Sequence, residues 1–380
     1  MNKIALAIHG GAGTILRSSM TAELEAEYKS GLETALRVGR DILQHGGSAL
    51  DAVEETVCSL EGFHLFNAGH GAVFTSEGKN ELDASIMDGK TLRAGAVAFV
   101  RNIKNPIRLA RLVMERTEHV LLAGDGANKF AEQMGVELVD DLYFFTEHRW
   151  KQLQEAIAAG RVQLDHSGVS TAEVSEPGAV AIGFPKNKNS ANSDDVYENT
   201  LNNLAETRPV GSVPSEGRTE TTKSHEKTRN KKEISNPQSS FRTPHSKGTV
   251  GAVACDANGS LAAATSTGGM TNKKFGRVGD TALIGSGTYA ENLTCAVSCT
   301  GHGEFFMLGV TAYDVAARMK YKQIGLEEAG RETIEHLTEI GGEGGLIAVD
   351  ALGNVTLPFN SAGMYRGYVT NDDLVVDIYR

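Results

Sequence analysis

KGTVGAVA, residues Lys247 to Ala254, marks an abrupt change of texture in the chain. Before it, from Thr171 to Lys247, the residues are mostly Ser, Asn, Thr, Lys, Glu and Pro, with little hydrophobic pattern beyond Ala179 to Phe184. That composition cannot bury enough apolar surface to offset the entropy of ordering, so 171–247 is expected to be a disordered basic linker. After it, Val250 to Cys255 and Leu261 to Thr265 predict a hairpin across Asp256 to Ser260. A polar bridge therefore ends one residue before a threonine that opens a strand. A threonine hydroxyl is a weak nucleophile near neutral pH and needs a base. A threonine at a chain start carries one, because a free α-amine has a pKa of about 7.7–8.0. Cutting between Gly248 and Thr249 would expose that amine, and Gly248 has no side chain to obstruct the approach. Taken alone, a Gly-Thr pair is better described as a strand threonine after a turn.

Working outward, the 380 residues are 40% hydrophobic, enough for one large core or two modest ones. The 43 glycines cluster in short motifs, which points to close backbone approach at several tight places. A net charge of -11 argues against a general nucleic-acid binder and leaves small-molecule chemistry as the natural expectation. Cys58, Cys255, Cys295 and Cys299 match no zinc spacing, and a chain of this size has no need of disulfides. No stretch approaches the ~18 apolar residues of a membrane span, and the apolar run at Ile4 to Ile8 is too short for a secretory core. A cytoplasmic protein is expected.

Ile4 to Ile8 reads as a buried strand stopping at a glycine turn, His9-Gly10-Gly11-Ala12-Gly13. Thr21 is placed to cap a helix running to about His45, and Ser48 to Leu60 reads as a second helix. Strands are expected at 72–75, 84–87, 95–100 and 120–123, with helices at 106–117, 125–135 and 146–160. The last part predicts helices at 304–319 and 325–340 and a hairpin of 345–349 with 355–359. Runs of strands alternating with helix pairs suggest stacked sheets covered by helices rather than a doubly wound parallel sheet.

The company Thr249 keeps adds a resemblance. HGGAG at His9 to Gly13, FNAGHGAVF at Phe66 to Phe74, ELDASIMDG at Glu81 to Gly89 and RAGAVA at Arg93 to Ala98 come before the linker. GTVGAVA, ATSTGGMTNK at Ala264 to Lys273, GRVGDTALIGSGTYA at Gly276 to Ala290, CTGHGE at Cys299 to Glu304, GGLIAVD and LPFNSAGMYR follow it. Together and in order they resemble the isoaspartyl peptidases and plant-type L-asparaginases, a threonine-type family of N-terminal-nucleophile hydrolases. The resemblance implies an α+β fold, an αββα four-layer sandwich, built from residues 1–248 and 249–380 after self-cleavage, with 1–170 as the ordered core of the first piece. It implies Thr249 as nucleophile, Thr267 orienting its hydroxyl, and Arg277 and Asp280 holding a substrate's α-carboxylate and α-ammonium. Such pairings suit a planar guanidinium and a carboxylate acceptor. Thr300 and Gly301 would form the oxyanion hole, Gly303 would offer a carbonyl to the ammonium, and Asn67 would stabilise charge near the nucleophile.

No cofactor is implied for catalysis. A structural sodium ion is implied at the backbone of Leu60, Glu61 and Phe63. The implied substrates are β-aspartyl dipeptides and L-asparagine, with no nucleic-acid or membrane partner, and the implied assembly is a dimer of cleaved pairs. His9 is expected to be a packed, hydrogen-bonded imidazole. His70 and His302 sit beside motifs at positions where they either line the pocket or point away. The long basic linker departs from the short one the family suggests, and it leaves processing of the precursor open. Glycosylasparaginase activity, or an inactive amidohydrolase core recruiting acidic partners through its linker, are the rival readings.

Overall fold

The computed structural model describes residues 3–160, 162, 248–371 and 373–380, and these fall within one compact unit. The linker expected at 171–247 lies outside them. The first strand, β1 (Ala5–Gly13), is buried along its whole length. It does not stop at His9. It runs on through the glycines with an irregularity in register between His9 and Gly11, because it lies between two partners, pairing antiparallel with residues of 363–370 on one side and 251–255 on the other. On residues 5–9 the ladder is made on both edges, and the bonds to 363–365 on one edge carry the strand on through the glycines, the irregularity absorbing the misfit.

Helix α1 (Ala22–Gln44) starts where Thr21 Oγ1 accepts from Leu24 N at 3.2 Å, with Glu23 and Glu25 in its first turn. Helix α2 (Ala49–Glu61) starts the same way on Ser48, whose Oγ accepts from Asp51 N at 3.1 Å. Both caps satisfy amide groups that a helix start leaves orphaned. Then come β2 (Leu82–Asp88), β3 (Ala94–Val100), α3 (Pro106–Arg116), β4 (Leu121–Ala123), α4 (Gly124–Met134), α5 (Asp141–Phe144) and α6 (Glu147–Ala158). Beyond the linker follow β5 (Val250–Cys255), β6 (Leu261–Thr267), β7 (Thr288–Ala290), β8 (Cys295–Gly301), α7 (Gly303–Gly309) and α8 (Thr311–Ala317). The chain closes with α9 (Leu326–Glu339), β9 (Gly344–Asp350), β10 (Val355–Thr356), β11 (Gly363–Thr370) and β12 (Leu374–Tyr379).

Two further expectations fail. Residues 72–75 form no strand, only a single bridge from Thr75 to Lys273, because this segment winds through a glycine-rich loop instead of joining a sheet edge. The helix expected at 304–319 is broken at Val310, which takes a left-handed conformation. The break frees the start of α8 to donate from Ala312 N to Ser286 O and from Tyr313 N to Gly285 O.

The fold is α+β. One sheet has the order β12-β11-β1-β5-β6-β2-β3-β4 and the other β10-β9-β8-β7. Side chains alternate across each strand. Leu6, Ile8, Val250, Ala252 and Ala264 face α1, α2 and α3, packing with Tyr28, Leu32, Val53, Val57 and Val113. The alternate residues Ala5, Ala7, Val253 and Ala263 meet Ala296, Ile347 and Val349 of the second sheet. That sheet turns Val297, Cys299, Leu346 and Ala348 to Phe306, Val315 and Leu337 of the last three helices. The seam between the sheets is rich in alanine, which lets them approach closely while the larger aliphatic and aromatic side chains fill the helical faces.

Candidate active site

The β5–β6 hairpin pairs Val250 with Ser266, so the next residue on each strand, Thr249 and Thr267, stand opposite one another. Both are buried, and Thr249 Oγ1 donates to Thr267 Oγ1 at 3.2 Å. Thr267 Oγ1 also accepts from Gly269 N at 3.0 Å, which ties it to the loop that leaves β6. Asn67 clamps that loop from the other side. Its Nδ2 donates to Gly269 O at 2.7 Å, its carbonyl accepts from Gly268 N at 3.0 Å, and its Oδ1 accepts from Val73 N at 3.0 Å.

Gly248, Thr249, Thr267, Arg277, Asp280, Gly301 and Gly303 line one cleft, with Met270 and Thr281. These residues come from four separate stretches of sequence. Asp280 is buried, and burial pushes its carboxyl up to about 7 although the Arg277 charge pulls the other way. Its Oδ2 has no hydrogen-bond partner among the described residues. A buried carboxylate oxygen without a donor is costly, and a bound ammonium would remove that cost. Arg277 presents Nε and Nη2 to the Glu304 carboxylate at 2.9 and 3.0 Å. Partial burial acts to raise Glu304, but Arg277 outweighs it and holds that carboxyl below its ordinary range. The Nη1 end of Arg277 remains the part of its donor fork not used by Glu304. A Cβ on Gly303 would fall 2.7 Å from Asp280 Oδ1 and 2.8 Å from Arg277 Nη2, so any side chain here would wedge into this charged pair.

Thr300 lies just behind the lining, fully buried on β8, and its Oγ1 has no partner among the described residues. Asn67 also stands behind the lining rather than in it. His302 is half-buried with Nε2 3.7 Å from Glu304 Oε2, and burial lowers its pKa. His70 packs edge-on against Tyr143 with ring centroids 4.9 Å apart, and it is not among the residues lining the cleft. His9 is buried and hydrogen-bonded, as expected. Glu304 was not singled out by the sequence, although it is the last letter of CTGHGE. Lys273 was missed too: it is buried beneath the loop and donates from Nζ to Glu81 O at 2.9 Å.

At the end of α2 the carbonyls of Leu60 and Phe63 accept from Phe63 N and Phe66 N, each at 3.2 Å. The Glu61 carbonyl lies against the bare backbone of Gly69, where a Cβ would approach to 2.4 Å. The Glu61 side chain turns inward. Burial pushes it up to about 7, opposed by donors on Ser266, Asn105 and Ile107 N. Among the described residues no cluster of three or more His, Cys, Asp or Glu side chains could hold a metal ion, and no helix is long and apolar enough to cross a membrane.

The chain is similar to known proteins along most of its length. A family model described as asparaginase matches residues 2–184 and 197–377. An isoaspartyl peptidase of Salmonella typhimurium (strain LT2) is 44% identical over 382 residues, covering 100% of both chains. One of Escherichia coli (strain K12) is 43% identical over 382 residues, covering 100% of this chain and 97% of that protein. An isoaspartyl peptidase/L-asparaginase of Xenopus laevis is 38% identical over 378 residues, covering 99% of this chain and 96% of that one.

Proposed function

The chain belongs to the asparaginase family, and on that footing we propose that it is an isoaspartyl peptidase with L-asparaginase activity, made competent by cutting its own Gly248–Thr249 bond. One observation carries the reading. Thr249 Oγ1 meets Thr267 Oγ1 at 3.2 Å in a cleft that also holds Arg277 and the unpartnered carboxylate oxygen of Asp280. The layer order supports the finer assignment of the fold as an αββα sandwich of the N-terminal-nucleophile type.

In self-cleavage, the Thr249 hydroxyl attacks the Gly248 carbonyl. The C–N bond breaks, an ester C–O bond forms, and the hydroxyl proton passes to the departing nitrogen. Water then hydrolyses the ester, leaving a carboxylate on Gly248 and a free amine on Thr249. In turnover that amine is the base, and Thr267 fixes the direction of the hydroxyl. The Nη1 end of Arg277 takes the substrate's α-carboxylate, and Asp280 with the Gly303 carbonyl takes the α-ammonium. This sets the β-carbonyl carbon over Thr249 Oγ1, with its oxygen toward Thr300 Oγ1 and Gly301 N. Thr300 suits this role because its buried hydroxyl has no partner among the described residues. Asn67 acts by holding the Gly268–Gly269 backbone. Ammonia or an amine leaves, and water releases aspartate from the β-aspartyl ester.

No cofactor takes part in these steps. The carbonyls of Leu60, Glu61 and Phe63 would suit a hard cation such as sodium, the Phe63 carbonyl using one lone pair in its bond from Phe66 N and keeping a second. Its part would be to stiffen the loop after α2. Cytoplasmic residence and a dimer of cleaved pairs belong to the same proposal, and four free thiols suit a reducing compartment.

Intact mass spectrometry of the wild type beside Thr249→Ala is the test, followed by assays on a β-aspartyl dipeptide, L-asparagine and a glycosylated asparagine. Two fragments meeting at Gly248 and Thr249, an uncut variant, and turnover of the first two substrates are expected. Turnover of the glycosylated substrate alone would make the protein a glycosylasparaginase. An uncut, inert wild type would leave only the scaffold reading.

A further inference from the structure

A file of buried hydroxyls between the two sheets is left unused by the chemistry above. His9 Nδ1 lies 2.9 Å from the Thr249 carbonyl oxygen, and His9 Nε2 lies 2.8 Å from Ser298 Oγ. Ser298 Oγ is 2.7 Å from Thr265 Oγ1, which in turn is hydrogen-bonded to Thr288 Oγ1. Thr288 Oγ1 is 2.8 Å from Ser85 Oγ, and Ser85 Oγ is 2.5 Å from the carbonyl of Thr281, next to Asp280. All of these side chains are fully buried. The file thus runs from the nucleophile residue, through β1, β8, β6, β7 and β2, to the far wall of the cleft. Gly251 makes room for it: a Cβ there would stand 2.0 Å from Ser298 Oγ and 2.5 Å from His9 Nε2.

The direction of the protons follows from the end of the chain. A carbonyl oxygen can only accept, so the bond at Thr249 requires the proton on His9 Nδ1. Nε2 must then accept, and the Ser298 hydroxyl must donate to it. Ser298 Oγ is left to accept from Thr265, and Thr265 from Thr288. Burial supports this state by pushing His9 down to about 3, only partly opposed by its bond to Thr249, so the ring is neutral at working pH. Thr249 itself needs such an anchor. Pairing between β1 and β5 ends at His9 with Gly251, before Thr249 is reached.

We propose that His9 is a positioning residue, locked by Ser298 as its Nδ1–H tautomer, which through the Thr249 carbonyl fixes where the hydroxyl and the freed amine stand. This rests on Thr249 being the nucleophile. Ser298→Ala removes the donor to Nε2. The proton is then free to move to Nε2, which turns a lone pair toward the carbonyl. The grip of Arg277 and Asp280 on substrate is not touched.

The experiment combines kinetics with nitrogen-15 NMR of histidine-labelled, full-length protein. In the wild type, His9 should show a protonated Nδ1 and a bare Nε2 from pH 5 to 8. Ser298→Ala should lose that signature, cleave itself more slowly, and lower kcat by about 10- to 100-fold with KM for a β-aspartyl dipeptide nearly unchanged. Thr265→Val, which spares the Ser298–His9 bond, should lower kcat far less. Should Ser298→Ala not fold, Ser298→Cys, with a weaker donor in nearly the same volume, serves in its place and should fall between it and the wild type. A wild-type ring protonated on Nε2, or a serine variant with wild-type kcat and cleavage, overturns the inference while leaving the function standing. An inert, uncut wild type sinks the functional reading instead, and the tautomer measurement then decides for or against the lock on its own.

Discussion

Asp280 stands in conflict with its own burial. A carboxylate pushed up to about 7 must lose its proton before it can hold an ammonium group. The logarithm of kcat/KM should therefore climb as pH rises through about 7, a limb to which the Thr249 amine also contributes because it too must be free of its proton to act as base. Asp280→Asn should make the limb shallower, leaving only the share of the Thr249 amine, and lower kcat/KM by about 100-fold, the worth of a charge-assisted bond. An Asp280→Asn variant whose limb is as steep as that of the wild type would remove Asp280 from the ammonium site. The same shift has a consequence for stability. An acid whose folded pKa is raised contributes stability that is complete below its unfolded pKa and lost as pH rises through the folded value. Asp280, joined by Glu61, should thus make the wild type less stable between about pH 4 and pH 7. Asp280→Asn should melt higher than wild type at pH 8 and match it near pH 4, as scanning calorimetry can read. Equal melting temperatures at pH 8 would mean that the cleft solvates this carboxylate better than its burial implies.

Between elements, the break at Val310 exchanges local strain for hydrogen bonds. A β-branched residue at φ 47° is unfavourable, yet the turn lets Ala312 N and Tyr313 N reach the Gly285–Ser286 carbonyls. Val310 is half-exposed, so little burial is lost on removing its side chain. Val310→Gly should relieve about 1–2 kcal/mol of strain against about 0.5–1 kcal/mol of added chain entropy, a small net gain. Val310→Ala, still strained, should gain nothing. A glycine variant that melts lower than the alanine variant would show that the added chain entropy outweighs the strain relieved. The sequence at 304–319 gave no warning of this break, because the bonds that repay it come from residues 285 and 286. The helix caps at Thr21 and Ser48 were legible because each is settled within three residues. Strands β8, β11 and β12 were not legible, since what makes CAVSCTG a strand is β9 alongside it. In the same way HGGAG looked like a turn until β11 paired along it. That Thr249, Arg277 and Asp280 belong together could be read from their motifs, and they share one cleft. The partner of Arg277, Glu304, could not, because the fold alone brings it there.

At the scale of the whole molecule, the proposed cut does not fall between two bodies. Across the large sheet, β12 and β11 come from after Gly248, β1 from before it, β5 and β6 from after, and β2, β3 and β4 from before. The strands of the two pieces alternate in blocks, and β1 is bonded on both edges by strands of the other piece. The helical core follows the same pattern: Leu6 and Val53 from one piece share a cluster with Val250 and Tyr365 from the other. Neither piece can close its sheet or cover its apolar faces alone, since an unpaired central strand leaves a full row of backbone groups and its side chains in water. Residues 1–248 and 249–380, produced as separate chains, should each fail to fold. Refolded together, they should co-elute as one species in native salt and unfold in a single transition by circular dichroism and fluorescence. Turnover of a β-aspartyl dipeptide should return only in that mixture, because the second piece supplies Thr249, Arg277 and Asp280 while the first supplies the Asn67 that holds their loop. If residues 249–380 alone gave a cooperative transition, the interleaved sheet would not be what joins the pieces, and the cut would be a domain boundary.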